Sequence, residues 1–116
     1  MSIKNVLITD TMLGREDHGI LTFMIYIKGD GFECGIGGYS LDSYDAEHKC
    51  RVFRSESMEI ISVILDVVGV DSWEQLKGKY IRVKENGWGS PIYEIGNLIE
   101  DKGINFKDFF KLDVKF

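Results

Sequence analysis

The residues of this chain that can do chemistry fall into four groups. The first is Arg15-Glu16-Asp17-His18. Histidine titrates near neutral pH and neighbouring carboxylates can orient it, so this corner suits general acid–base work. The sequence sets no nucleophile beside it, and a charged loop between two strands accounts for the same residues. The second group is Gly35-Ile36-Gly37-Gly38-Tyr39-Ser40-Leu41-Asp42. Backbone N–H groups in a glycine-rich stretch can cradle an anion, and a tyrosine ring can stack on a base. The stretch is no P-loop, because no Gly-Lys-Ser/Thr follows. It is no dinucleotide fingerprint either, because no helix follows directly. A strand bent by glycine to fit a core is the plainer account.

The third group is Asp42, Asp45, Glu47, His48 and Cys50, all potential metal ligands in one short segment. Their order fits neither an EF-hand nor a zinc motif, so a solvated loop is expected, with no metal and no cofactor. The fourth is Tyr80, Trp88 and Tyr93, with Arg82 and Lys84 on the face of Tyr80. Aromatic rings between cations can stack bases, but cross-strand packing explains them as well. Cys34 and Cys50 have no recognisable catalytic setting and read as reduced thiols, and Gly-x-Ser-x-Gly is absent.

The elements that must position these groups follow from hydrophobic period. Residues 3–9 read as a first strand. In the next, Leu21, Phe23, Ile25 and Ile27 share one apolar face, while Thr22, Met24, Tyr26 and Lys28 share a mixed one. Lys28-Gly29-Asp30-Gly31 signals a hairpin turn. The return strand, residues 32–41, carries Gly35, Gly37 and Gly38, which implies a bend, a bulge or a close backbone approach. This hairpin brings the Glu16–His18 corner near Tyr39 and Asp42, so His18, the Gly35–Gly38 backbone, Tyr39 and Asp42 are expected to line one pocket. Residues 42–51 read as a polar loop.

A main helix is expected over about 57–68, with Met58, Ile61, Leu65 and Val68 on one stripe, broadened by Ile60, Ile64 and Val67. Ser55 or Ser57 caps it and Gly69 ends it. A short helix over about 73–77 carries the Ser72/Gln75 capping box. Residues 79–84 and 92–99 complete the pattern as two strands. The order β-β-β-α-α-β-β has hairpins rather than crossovers. It predicts an α+β fold: an antiparallel sheet of about five strands with both helices on one face. Residues 1–116 read as a single domain. The apolar stretch 103–116 must bury itself on the core or on a second subunit, as a homodimer or higher homo-oligomer.

Bulk properties narrow the class. The net charge is −5, from 19 acidic and 14 basic residues, which disfavours direct DNA binding. No apolar run reaches the ~18 residues of a membrane span, and the start of the chain does not read as a signal peptide. A cytoplasmic protein, without membrane contact, is expected.

Thr11-Met12-Leu13-Gly14 with Glu16-Asp17-His18-Gly19-Ile20, Gly37-Gly38-Tyr39 with Leu41-Asp42, Trp73-Glu74 with Leu76 and Gly78, and Ile95-Gly96 together resemble a family of small uncharacterised proteins of tailed phages and prophages. The resemblance covers roughly residues 3–110 and carries no established chemistry. It implies an accessory protein that acts by binding, either occluding a host protein or sequestering a nucleotide signal of host defence. The resemblance supplies no site; the first two residue groups do, and the binding residues would be Arg15, Glu16, Asp17, His18, Gly35, Gly37, Gly38, Tyr39 and Asp42. Two alternatives stand beside it. One is a small phosphodiesterase-like enzyme using His18 with Asp17 or Asp42. The other is a structural or regulatory phage protein without a pocket.

Overall fold

Alternating apolar side chains define one face of a sheet, and the sheet is built around the longest run of them. The computed structural model describes residues 2–16, 19–87 and 89–110. The fold is α+β, and among the described residues it has eight strands: β1 (Ser2–Glu16), β2 (Ile20–Gly29), β3 (Phe32–Gly37), β4 (Asp42–Asp45), β5 (Cys50–Phe53), β6 (Tyr80–Glu85), β7 (Glu94–Gly96) and β8 (Gly103–Asn105). Six form one antiparallel sheet in the order β3-β2-β1-β6-β7-β8, and β4-β5 form a separate pair. Helix α1 is Glu56–Val68, α2 is Phe106–Phe110, and a 3₁₀ turn spans Trp73–Leu76.

On β2, Phe23, Ile25 and Ile27 are buried and face the core with Ile36 of β3, Val6 and Ile8 of β1, Ile81 and Val83 of β6, and Ile95 of β7. Helix α1 closes this core with Ile60, Ile64 and Val67. Each such side chain contributes roughly 1.5–3 kcal/mol by leaving water. The buried stripe is therefore Ser57-Ile60-Ile64-Val67, whereas Met58 is 75% exposed. The stripe is turned by one residue from the sequence expectation because Ser57 is drawn inward, its hydroxyl donating to the Leu41 carbonyl. Gly69 ends α1 in the left-handed conformation at φ 89°, donating its N–H to Leu65. Gln75 accepts the Ser72 and Asp71 N–H groups at 3.1 and 2.9 Å, fixing the 3₁₀ turn.

Three elements differ from the sequence reading. Residues 42–53 are not a plain loop but the β4–β5 hairpin, because the Asp45 carboxylate folds the intervening turn by accepting the N–H groups of Glu47 and His48. Only Glu94–Gly96 of the expected last strand is paired; Asn97 then turns the chain and Gly103–Asn105 returns beside it. Strand β1 continues far past residue 9. A bulge at Thr9 shifts its register between Ile8 and Asp10, and pairing with β2 resumes through Glu16↔Ile20. From the apolar segment after residue 103, Phe106 is fully buried against Phe23 and Tyr39, and Phe110 stacks on Tyr39.

Candidate functional site

The glycine-rich segment bends because two backbones meet there. Gly37 has φ 127°, and a Cβ on it would lie 2.5 Å from the Phe23 carbonyl oxygen. That same oxygen accepts the Gly38 N–H at 2.8 Å, so this amide is already committed to the fold. Gly38 follows with φ 80°, and the Thr22 hydroxyl donates to the Tyr39 carbonyl at 2.7 Å. The Tyr39 ring is half-buried among Phe23, Phe106 and Phe110, lying 5.0 Å from Phe110 at 24° between planes. Burial, with nearby Tyr93, pushes its hydroxyl pKa upward. Gly35 sits opposite Tyr26 on the other side of the sheet, beneath the Met24 methyl.

Asp42 is 5% exposed and fully engaged. Its Oδ1 lies 2.6 Å from Arg51 Nη2, its Oδ2 accepts the Leu21 N–H at 3.4 Å, and Arg51 also donates to its carbonyl at 3.3 Å. The Arg51 hydrogen bond holds the carboxyl below its usual range, with the Leu21 amide helping and burial opposing. This pair ties β4–β5 to the start of β2. Arg15 and Glu16 stand at the far end of β1, exposed, opposite Leu21 and Ile20. Asp17 and His18 lie outside the described residues. The tip of the β1–β2 arm and the Asp42 end of the glycine segment are thus neighbours through Leu21.

Asp45, Glu47 and His48 place potential ligand atoms within 4.8 Å of one another. The turn itself gathers them: Asp45 Oδ2 lies 2.7 Å from His48 Nδ1, and this contact, with the two amide bonds, lowers the Asp45 pKa. Asp42 is withdrawn toward Arg51 and takes no part. Among the aromatics of the fourth group, Tyr80 is exposed on the outer face of the sheet, Tyr93 packs on the core beneath Lys107, and Trp88 lies outside the described residues. Arg82 donates to the carbonyls of Asn97 and Glu100, and Lys84 pairs with Glu94 at 3.0 Å, so these cations hold the sheet's far edge. Cys34 and Cys50 form no disulfide and are exposed as residues; partial desolvation of the Cys34 thiol, with Glu85 nearby, raises its pKa, away from thiolate reactivity. No described helix is long and apolar enough to cross a membrane.

One feature had no signal in the sequence. Strand β6 pairs β1 only as far as Leu7, and Ile8 bonds Gly78 and Lys79. Beyond that point, among the described residues, nothing pairs the outer edge of β1. The Thr11 N–H faces this open side, since it donates to its own neighbour's carboxylate, Asp10, at 2.9 Å. Alternation along the strand sends the N–H and C=O of Leu13 and Arg15 the same way. Leu13 is 43% exposed. The open edge thus runs from the bulge directly into the Arg15–Glu16 corner singled out by its charges.

No protein-family model, curated protein or solved structure matches this chain.

Proposed function

We propose that this is a phage or prophage accessory protein that acts by binding and occluding a host protein, with an extended segment of that partner added to the open edge of β1. The observation that carries this reading is the unpaired edge at Leu13 and Arg15. Unpaired strand edges recruit extended segments through main-chain hydrogen bonds, and natural proteins usually blunt them when no partner is intended. Here Asp10 blunts only the first amide, at Thr11. The exposed Leu13 side chain and the Arg15–Glu16 charges then supply selectivity beside the main-chain bonds. A nucleotide in the glycine segment is less favoured, because the Tyr39 ring and the Gly38 amide already have partners.

The test uses two proline substitutions. Leu13→Pro removes an N–H that faces outward and leaves the β1–β2 ladder intact, which an edge strand tolerates. Met12→Pro, one residue away, removes a ladder N–H and should lower stability by about 1–3 kcal/mol. Immobilised wild-type protein should retain a stoichiometric partner from bacterial lysate. Leu13→Pro should lose that partner while melting close to wild type. Recovery of no partner from several hosts, or full retention by Leu13→Pro, would count against the proposal.

A further inference from the structure

The loop between β7 and β8 is held more tightly than a surface turn requires. Asn97 Oδ1 accepts the N–H groups of Ile99 and Glu100 at 2.9 and 2.8 Å. Its Nδ2 donates to the Val67 carbonyl at 2.9 Å, and its own N–H donates to Lys102. Arg82 clamps the loop from beneath by donating to the carbonyls of Asn97 and Glu100. This rigid frame presents Ile99 at 88% exposure, with Leu98 beside it at 39%. Fixing a large apolar side chain in water has no benefit to the monomer's stability; a preorganised apolar tip is what an interface anchor needs.

Next to the loop lies a groove of about 220 Å³ on the outer face of the sheet. Its walls are Ile3, Arg82, Lys84 and Glu94 on one side and the loop's own Asp101 and Lys102 on the other. Gly96 and Gly103 lie along it, and the Arg82 guanidinium passes over Gly96 on its way to the loop carbonyls. Small-molecule sites usually measure roughly 300–1,000 Å³, so this groove suits one or two inserted side chains better than a ligand. Ile3, 64% exposed, gives it an apolar rim.

We infer that the occupant is a second copy of this chain: Leu98 and Ile99 of each protomer enter the groove of the other across a two-fold axis. Such an interface must use one self-complementary patch, and here protrusion and groove are adjacent because the same loop builds both. Charge agrees. The patch carries three cations, Arg82, Lys84 and Lys102, and three carboxylates, Glu94, Glu100 and Asp101, so it is balanced although the chain as a whole carries −5. Two copies meeting here bring together surfaces of no net charge, so the excess negative charge of the chain does not oppose this contact. The surface is separate from the open edge of β1.

Sedimentation equilibrium of the full chain between about 1 and 200 μM tests the inference. Wild type should be dimeric in the upper part of this range. Ile99→Asp and Ile3→Asp should each weaken the dimer at least ~30-fold, the scale of losing an interface anchor. Both sites are exposed, so their thermal melts under conditions where the protein is monomeric should match wild type. Tyr44→Asp, at a residue 59% exposed on the β4–β5 hairpin, is the control and should leave the dimer unchanged. A monomeric wild type at 200 μM overturns the inference. So does a dimer that survives Ile99→Asp, or one that Tyr44→Asp weakens equally. Partner capture through β1 is scored separately, so either proposal can fail alone.

Discussion

Replacing Asp42 by asparagine isolates the electrostatic role of a carboxylate buried at the candidate site. The side chain keeps its size and an acceptor oxygen but loses its charge. In the native protein that charge sits 2.6 Å from Arg51, and the Arg51 side chain is 28% exposed. Breaking a fully buried pair costs about 3–5 kcal/mol because the remaining ion is stranded. Arg51 can recover water on its exposed side, so the expected loss is about 1–3 kcal/mol. For a domain near this size that is a fall in Tm of roughly 4–12 °C. The pH dependence fixes the cause. The folded pKa of Asp42 lies below its unfolded value of about 3.9, so its contribution is complete above that value and vanishes as pH falls through the folded pKa. Urea denaturation of wild type and Asp42→Asn from pH 7 to pH 2.5 should show a constant gap down to about pH 4.5 that narrows at lower pH. A gap under about 0.3 kcal/mol at pH 7, or one that does not narrow in acid, would refute the pairing argument.

Three further substitutions probe the surrounding frame. Gly37→Ala places a methyl against the Phe23 carbonyl at a left-handed φ, and should cost about 2 kcal/mol or more in urea denaturation; a neutral result would mean the bend is not forced. Phe106→Ala removes a fully buried ring between Phe23 and Tyr39 and should cost about 3–5 kcal/mol by the same measurement, whereas a loss below about 1 kcal/mol would make the C-terminal stretch peripheral to the core. Asn97→Ala should cost about 1–2 kcal/mol and speed amide exchange at Ile99 and Glu100; unchanged exchange would show that Arg82 alone holds the loop.

Much of the frame was legible because it depends on local chemistry. The alternation of Leu21, Phe23, Ile25 and Ile27 defines the core face of β2, Gly31 at φ 83° closes the hairpin, and Gly69 ends α1 where its type and position indicate. The α+β class and the antiparallel sheet follow from these. The metal-ligand grouping was half legible: proximity of Asp45, Glu47 and His48 is a property of one turn, while the withdrawal of Asp42 depends on Arg51 nine residues on. The glycines of the return strand announced a close approach. Which atom approaches them, the Phe23 oxygen, is a matter of register between strands.

Sequence by itself therefore determined the β2–β3 hairpin, the main helix, the apolar face they share and the places where glycine must bend the chain, because period and backbone freedom are local quantities. Tertiary structure alone decided which polar groups are spent and which edges stay open. Asp42 and Arg82 are ordinary charged residues in sequence, and only folding hands one to Arg51 and the other to the Asn97 loop. The open edge of β1 is not written in Asp10–Glu16 at all. It exists because a bulge carries β1 past the end of β6, and the length of a neighbour is a non-local fact.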